Sequence, residues 1–510
     1  MKKLILNFAP AAVAADCLLS ATPVAVGAET ACAPTAVDAR DVWDLAELKK
    51  TPRTFAVEQP CSNEYGRVAG VSPIWIEGEP YRGKPTRVFA WWGLPAGASS
   101  AHKVPAMVLV HGGGGTAFAA WVKTWNDRGY AAIALDTCGK IPQGERDGRP
   151  HAGHAWSGPS GWGDGIRQMD EPLKDNWTYH AVAAIMRAHS FLRARPEVDA
   201  ARVGLTGISW GGYLTSVTMG VDDRFVFAAP VYGCGWYDLG PIWSERKTHP
   251  DQFSRWLAQW DAKNFLPNTR TTVLWCCGTN DIFYPLDAVA KSCEALPDAT
   301  PLLLSLKLRM PHGHPPAGDP PEIAALADWK LKGAAPLVEV KEARVEGNAL
   351  HVAFDAHGRR VVRAELLATC DANPTLSKRP WTATPVAGFD ASHGAFDAPL
   401  PANAVMFFAN LVTDDGLVFS TAPMRGPGAQ TVDREFLKGL LGIPSVTADK
   451  AKTDEAVAFV RARLESHGVV CAEERMLFLS LWPAMAREPT RAELYQRCHE
   501  MGDVILDKLG

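Results

Sequence analysis

The stretch Leu205-Thr-Gly-Ile-Ser-Trp-Gly-Gly212 decides the fold that we expect for this chain. It contains the pentapeptide Gly-x-Ser-x-Gly, centred on Ser209. An apolar run at 202–205 precedes the pentapeptide, and a helix-like stretch at 213–220 follows it. This order of strand, tight turn and helix is the context of a nucleophile elbow, in which a serine stands above the end of a sheet.

The residue types in the pentapeptide follow from the geometry of such a turn. A Cβ atom two positions before or after the serine would clash with the adjoining strand and helix, so glycine is required there. The turn also directs the N-terminus of the helix at the serine, where backbone N–H groups favour negative charge. In a chain with 44 glycines the pattern alone arises by chance on the order of one time in ten, so it needs partners in the right order.

Two further side chains of the required types follow the ends of apolar strands. Asp281 comes just after the β-rich run 271–277, and His312 follows the apolar run 302–310. The chain order serine, aspartate, histidine is that of a triad on this kind of sheet. We therefore predict Ser209 as nucleophile, Asp281 as the acid that orients the base, and His312 as the base, with His314 as an alternative base.

A glycine-rich loop precedes the elbow in the chain. The continuous apolar run 104–110, typical of a buried parallel strand, leads into His111-Gly-Gly-Gly-Gly115. Glycines at this place let the backbone approach a substrate and offer N–H groups to a developing oxyanion. We predict Gly113 and Trp210 as the two oxyanion donors, and a structural, hydrogen-bonding role for His111.

Residues 104–115, 207–212, 278–285 and 310–314 together resemble the α/β-hydrolase superfamily. The phrases Gly-Ile-Ser-Trp-Gly-Gly, Gly-Thr-Asn-Asp and Met-Pro-His-Gly-His resemble bacterial secreted esterases. Their relatives include acetyl xylan esterases, dienelactone-hydrolase-like proteins and prolyl-oligopeptidase-like serine hydrolases. The resemblance covers roughly residues 40–335. It implies an α/β fold with a doubly wound, mostly parallel sheet, and it leaves the substrate open because substrate follows the pocket.

The composition limits the classes of partner. The chain has 510 residues, of which 47% are hydrophobic and 21% charged, and its net charge is −4. These values are typical of a soluble globular protein and favour neither nucleic acid nor an anionic membrane as partner. No stretch predicts a membrane span. We expect most of the 18 tryptophans to be buried. Exposed tryptophans near a cleft would suit contact with sugar rings or aromatic acyl groups. The sequence leaves the oligomeric state open.

The first 28 residues predict a signal peptide. Lys2 and Lys3 precede an apolar stretch, and Val26-Gly27-Ala28 offers a small-residue cleavage site. Asp16 and Pro10 interrupt the apolar stretch, so an unprocessed leader is the alternative. The predicted location is secreted or periplasmic.

Three segments follow the leader. The hydrolase domain is predicted at 29–335, an immunoglobulin-like β-sandwich at 336–425, and a small α-helical unit at 426–510. The sandwich prediction rests on short β-rich segments separated by turn signals, at 337–344, 349–354, 360–369, 379–384, 394–399, 403–412 and 416–420. For this sandwich, packing and carbohydrate binding are both open roles. Trp381, Phe407 and Phe408 are predicted in its core.

The sequence predicts no cofactor and no metal. The His151-x-x-His154 pair has no carboxylate at ligand spacing, and the chain has no C-x-x-C motif. Cys276 and Cys277 are adjacent in a strand and are predicted as buried thiols. A disulfide from Cys234 to either of them is the alternative.

These features predict a secreted serine carboxylesterase that acts through a Ser-His-Asp triad and an acyl-enzyme. Its partner would be an ester substrate, with acetylated plant polysaccharide as the first candidate. One alternative is a serine peptidase of prolyl-oligopeptidase type, although that family usually carries a large propeller for which the residues between Ala28 and Val104 are too few. Another is a non-catalytic carbohydrate-binding or interaction protein with a vestigial hydrolase domain.

Overall fold

The computed structural model describes residues 38–58, 61, 68–142, 152–240, 245–313, 319–371, 376–426 and 428. All of them belong to one compact unit, Cys32–Ala429. The predicted signal peptide 1–28, the alternative base His314 and the predicted helical unit 426–510, apart from Gly426 and Gly428, lie outside the described residues.

The described residues alternate strands and helices up to Lys332 and form strands alone beyond it, apart from short 3-10 turns. The helices are α1 (Ala39–Val42), α2 (Leu45–Leu48), α3 (Ala119–Asp127), α4 (Gly163–Arg167), α5 (Trp177–Arg193), α6 (Trp210–Thr218), α7 (Glu245–Thr248), α8 (Pro250–Trp260), α9 (Leu286–Glu294) and α10 (Pro321–Lys332). The strands of this first part are β1 (Thr54–Phe55), β2 (Val71–Glu77), β3 (Arg87–Gly93), β4 (Val104–Val110), β5 (Ala131–Leu135), β6 (Lys140–Ile141), β7 (Ala152–Gly153), β8 (Val198–Ile208), β9 (Phe227–Val231), β10 (Thr272–Gly278) and β11 (Leu302–Lys307).

A nine-stranded sheet organises this part of the chain, with the strand order β1-β2-β3-β5-β4-β8-β9-β10-β11. The pairs from β1 to β5 are antiparallel. From β5 to β11 all neighbours are parallel. Apolar runs such as β4 and β10 are buried almost throughout because helices cover parallel sheets on both faces. The mostly parallel sheet predicted from the sequence is confirmed.

Helix α5 illustrates how the elements pack against the sheet. It spans Trp177–Arg193, and nearly all of its residues are buried. A helix that is buried on most of its surface must be covered on several sides, and α5 contacts β8, β5 and β4 as well as α2. Trp43, just before α2, donates its indole N–H to the carbonyl of Tyr179 at 3.0 Å, which ties the N-terminal lead-in to this helix.

One strand boundary differs from the sequence prediction. The apolar run 302–310 predicted a strand over its whole length, but β11 ends at Lys307. The chain turns there because Arg309 adopts a left-handed backbone with φ of 51°, which no extended strand can accommodate.

The strands beyond Lys332 form two antiparallel sheets. They are β12 (Glu339–Glu346), β13 (Ala349–Asp355), β14 (Val361–Thr369), β15 (Thr382–Pro385), β16 (Ala395–Pro399), β17 (Met406–Thr413), β18 (Val418–Ser420) and β19 (Met424–Arg425). One sheet has the order β12-β13-β16 and the other the order β15-β14-β17-β18, with β19 beside β17. Trp381, Phe407 and Phe408 are buried, as predicted. The immunoglobulin-like assignment and the domain boundary at 335/336 stay predictions.

Candidate active site

Ser209 occupies a sharp turn between β8 and α6. Its backbone has φ of 57° and ψ of −118°, a conformation that costs a non-glycine residue on the order of 1–3 kcal/mol and that recurs at functional sites. The surrounding backbone holds it in place. The Ser209 N–H donates to the carbonyl of Val231 at 2.8 Å, and the Ser209 carbonyl accepts from the N–H of Tyr213 at 2.8 Å.

The two glycines of the pentapeptide are required by close backbone contacts. A Cβ atom on Gly207 would lie 2.3 Å from the carbonyl oxygen of Gly211. A Cβ atom on Gly211 would lie 2.1 Å from the carbonyl oxygen of Val110. Both positions face backbone atoms that cannot rotate away, so the strand, the turn and the helix approach this closely only with glycine.

The structure brings Ser209, His312 and Asp281 together. His312 Nε2 lies 2.8 Å from Ser209 Oγ, and His312 Nδ1 lies 2.6 Å from Asp281 Oδ2. The second carboxylate oxygen, Oδ1, accepts the backbone N–H groups of Phe283 at 2.8 Å and Tyr284 at 2.9 Å. The Asp281 side chain is fully buried, whereas 18% of the His312 side chain is exposed. Asp281 is therefore held on both oxygens, and the imidazole remains accessible from one side.

Aromatic rings hold the imidazole of His312 from the sides. The ring of Tyr232 stacks on it at 4.5 Å between centroids, and the ring of Phe283 lies at 4.4 Å. The Tyr232 hydroxyl donates to the carbonyl of Pro311, the residue before His312. Burial raises the pKa of Tyr232 well above its usual range, so the phenol keeps the proton that it donates. Sequence reasoning missed both aromatic residues, although each follows a buried strand at the same sheet edge.

The glycine-rich loop lies against the elbow. A Cβ atom on Gly112 would lie 3.0 Å from Ser209 Cβ, and one on Gly113 would lie 2.8 Å from Cδ1 of Trp210. Gly113 is exposed, and Trp210 begins α6 directly after Ser209. These contacts place the two predicted oxyanion residues beside each other at the nucleophile. Their role as donors stays a prediction.

His111 supports this loop through hydrogen bonds. Its Nδ1 donates to the carbonyl of Gly112 at 2.8 Å, and its Nε2 accepts the backbone N–H of Thr137 at 3.0 Å. Asp136, next to Thr137, is buried and accepts the backbone N–H groups of Cys138 and Lys140 at 2.9 and 2.8 Å. The hydrogen-bonding role predicted for His111 agrees with these contacts. Asp136 and Thr137 were missed, and their signal was a polar pair directly after β5.

The cysteines near the site are thiols. Cys234, Cys276 and Cys277 are buried and free, so the alternative disulfide from Cys234 to its neighbours is wrong and the predicted thiols at Cys276 and Cys277 are confirmed. Burial raises the pKa of the Cys276 thiol far above its usual value, which leaves it protonated and unreactive.

In the part of the chain that the structure describes, no cluster of three or more His, Cys, Asp or Glu side chains could hold a metal ion. His154 of the H-x-x-H pair instead accepts the backbone N–H of Trp156 at 3.3 Å, and His151 lies outside the described residues. None of the helices in the described residues combines the length and the apolar character that crossing a membrane requires.

The fold and the site together define a class of protein. A mostly parallel sheet carries a serine on an elbow after β8, an aspartate after β10 and a histidine after β11. This arrangement is the α/β-hydrolase fold, and the chain has that fold.

Comparisons with known families agree with this class. Residues 161–329 match the family model of the prolyl oligopeptidase family, and residues 79–234 match that of acetyl xylan esterase. Each match covers less than half of the chain. Both families consist of hydrolases, and the two matches support a serine hydrolase without separating an esterase from a peptidase. A comparison with curated proteins yields no match.

Several solved structures are similar to this chain. An acetyl xylan esterase from Paenibacillus sp. R4 is 21% identical with a TM-score of 0.44, over 58% of this chain and 96% of that protein. Acetyl Xylan Esterase 1 from Thermoanaerobacterium sp. JW/SL YS485 is 19% identical with a TM-score of 0.42, over 59% and 94%. The acylaminoacyl peptidase of Pyrococcus horikoshii is 19% identical with a TM-score of 0.39, over 52% and 43%.

Proposed function

We propose that this protein is a serine carboxylesterase that uses Ser209 as nucleophile, His312 as base and Asp281 as the acid that orients the base. One observation carries the proposal. The imidazole of His312 stands between the other two side chains, 2.8 Å from Ser209 Oγ and 2.6 Å from Asp281 Oδ2. Nucleophile, base and orienting group within hydrogen-bond reach of one another are the requirement for activating a serine hydroxyl.

The reaction would proceed in two halves. His312 Nε2 takes the proton of Ser209 Oγ as the oxygen attacks the ester carbonyl, and the negative Asp281 stabilises the resulting imidazolium. Backbone N–H groups of Gly113 and Trp210 are the proposed donors to the tetrahedral oxyanion, an interaction whose loss typically costs about 10²–10³ in rate. His312 then protonates the leaving alcohol. Water, activated by the same imidazole, hydrolyses the acyl-enzyme and restores Ser209.

Esters of acetylated plant polysaccharide are the first substrate class that we propose. The match of residues 79–234 to the acetyl xylan esterase family supports it. Half-buried aromatic rings near the site, among them Phe283 against His312 and Trp162 near Gly113, suit stacking against sugar rings. The match of residues 161–329 to the prolyl oligopeptidase family favours peptide substrates as the second candidate.

A substrate panel with two serine variants tests this proposal. The panel comprises p-nitrophenyl acetate, longer p-nitrophenyl esters, acetylated xylan, feruloyl esters and peptide amides. Ser209→Ala should abolish hydrolysis and labelling by a fluorophosphonate, because it removes the nucleophile. Ser100→Ala changes an exposed serine before the amino end of β4, opposite the strand ends that carry the site, and as the control it should react as the wild type does. A wild-type protein that neither labels nor hydrolyses any ester would refute the proposal, and cleavage of amides in preference to esters would favour the peptidase.

We also propose export from the cell, on the basis of the leader-like residues 1–28. Fractionation of expressing cells, with N-terminal sequencing of the product, tests this proposal. We expect a mature chain that begins close to residue 29. An unprocessed chain that stays in the cytoplasm would contradict it.

A further inference from the structure

Asn280 precedes the proposed acid Asp281 in the loop after β10, here called the acid loop. It joins this loop to the two-sheet region, which comprises β12 to β19 (Glu339–Arg425). Asn280 donates both hydrogens of its side-chain amide to backbone carbonyls, at 2.7 Å to Leu376 and at 2.8 Å to Arg379. These carbonyls belong to the connection between β14 and β15, which includes the short 3-10 helix Leu376–Lys378. A side-chain amide with both donors satisfied by backbone acceptors of another segment is strongly fixed in orientation.

The oxygen of the same amide extends the connection to the loop of the base. Asn280 Oδ1 accepts the hydroxyl proton of Thr279 at 2.8 Å, and Thr279 Oγ1 accepts the backbone N–H of Arg309 at 3.0 Å. Arg309 lies three residues before His312. One side chain therefore joins the loop of Asp281, the loop of His312 and the β14–β15 connection.

The two-sheet region is anchored to the same side of the hydrolase sheet by further contacts. Ser420 Oγ accepts the backbone N–H of Leu306 in β11 at 2.8 Å, and the amide of Asn410 donates to the Leu306 carbonyl at 3.0 Å. The buried Glu322 at the start of α10 accepts the backbone N–H of Val418 at 3.0 Å. Arg425 forms an ion pair with Asp287 in α9 at 2.8 Å. These contacts lie on α9, which follows Asp281, on β11, which leads to His312, and on α10, which follows His312. Ser209 instead stands between β8 and α6.

The side chains of the two-sheet region favour packing over ligand binding. All of its aromatic residues are buried or half-buried, namely Phe354, Trp381, Phe389, Phe396, Phe407, Phe408 and Phe419. A carbohydrate-binding surface needs exposed rings on which sugars can stack. Six of these seven rings are buried and only Phe389 is half-buried, so the described residues of this region offer no group of accessible rings.

We propose that the two-sheet region is a positioning scaffold for the acid and the base of the triad, and that Asn280 is the positioning residue through which it acts. The inference rests on the proposed esterase function. Asn280 does not touch the reacting atoms. It holds the loop that carries Asp281, and displacement of a catalytic group by about 1 Å can lower the rate as much as 10²-fold.

Two variants of Asn280 and one matched control in the full-length protein test the inference. Asn280→Ala removes the amide, and Asn280→Asp keeps the acceptor for Thr279 but places a carboxylate against two carbonyls. Thr413→Val, the control, removes the hydrogen bond that Thr413 Oγ1 accepts from the backbone N–H of Leu417 at 3.0 Å, in the turn between β17 and β18. The measurements are kcat and KM for p-nitrophenyl acetate per active site titrated with a fluorophosphonate, and the thermal midpoint.

Both Asn280 variants should lower kcat per titrated site by about 10- to 100-fold with KM little changed, because the positioning affects the reaction more than the binding. Thr413→Val should lower the thermal midpoint and leave kcat per titrated site unchanged, because the lost hydrogen bond lies within the two-sheet region. An unchanged kcat in Asn280→Ala, or an equal loss in Thr413→Val, would overturn the inference. Retention of full activity by Ser209→Ala would instead refute the proposed function itself, so the two failures are distinguishable.

Discussion

Replacement of Asp281 by asparagine tests the proposed mechanism most sharply, because the substitution replaces one carboxylate oxygen with an NH2 group and hardly changes the side-chain volume. Oδ1 of Asp281 faces two backbone N–H groups, those of Phe283 and Tyr284, so the amide oxygen of the substituted side chain would take that position. The amide NH2 group would then take the Oδ2 position, 2.6 Å from His312 Nδ1. Because the NH2 group can only donate there, Nδ1 must accept, and the ring proton moves to Nε2.

In this tautomer His312 can no longer act as the base. Nε2 would carry a proton toward Ser209 Oγ, at 2.8 Å, and could no longer accept one. A substitution of this kind in a serine-histidine-aspartate triad lowers kcat by about 10⁴, which corresponds to roughly 5.5 kcal/mol of transition-state stabilisation. We expect a loss of this size for Asp281→Asn in the hydrolysis of p-nitrophenyl acetate, with little change in the thermal midpoint.

The matched control is another buried aspartate that contacts a histidine. Asp222 Oδ2 lies 3.0 Å from His189 Nδ1, and both side chains are fully buried. Asp222 follows the C-terminal end of α6, whereas Ser209 precedes its N-terminal end. Asp222→Asn should lower stability and leave kcat per folded molecule unchanged. Retention of most of the wild-type kcat by Asp281→Asn, with the fold intact, would refute the assignment of Asp281.

Three further predictions concern stability. Gly211→Ala, whose Cβ would lie 2.1 Å from the Val110 carbonyl oxygen, should lower the free energy of unfolding in urea by at least about 2 kcal/mol, whereas Gly153→Ala, with its nearest neighbour at 3.9 Å, should change it little. Phe408→Ala, at a site with no exposure, should cost about 3–5 kcal/mol in the same assay; a cost below about 1 kcal/mol would contradict a packed core there. Burial lowers the pKa of His180 from 6.5 to about 4, so the neutral ring favours the folded state above pH 6.5 and this stabilisation is lost as the pH falls toward 4. His180→Asn should therefore reduce the fall in unfolding free energy between pH 7 and pH 5, and an unchanged slope would show that this ring does not contribute.

Much of the fold could be predicted because its signals are local. The apolar run 104–110, predicted as a buried parallel strand, coincides with β4. Gly207 is required by its contact with Gly211, four positions later, and a pentapeptide can express that contact, whereas Gly211 is required by Val110 in the distant strand β4. The end of β11 at Lys307 was missed because an apolar run does not encode the left-handed turn at Arg309.

The contacts that unite the site were harder to predict because they join segments distant in the chain. The stacking of Tyr232 on His312 depends on how β9 and β11 lie in the sheet. The hydrogen bonds of Asn280 to Leu376 and Arg379 cross 96 and 99 positions. No pattern around Asn280 indicates a partner in a later segment, because an asparagine in a turn satisfies its amide equally well locally.

The sequence by itself determined which side chains stand at the ends of strands, since periodicity and glycine spacing report local conformation. It thereby identified Ser209, Asp281 and His312 as candidates. The tertiary structure alone decided that they meet. His312 lies 103 positions from Ser209 and 31 from Asp281, and it reaches both because the strands from β8 to β11 are parallel and end at one edge of the sheet. Distance along the chain carries no information about distance across a sheet until the order of the strands is known.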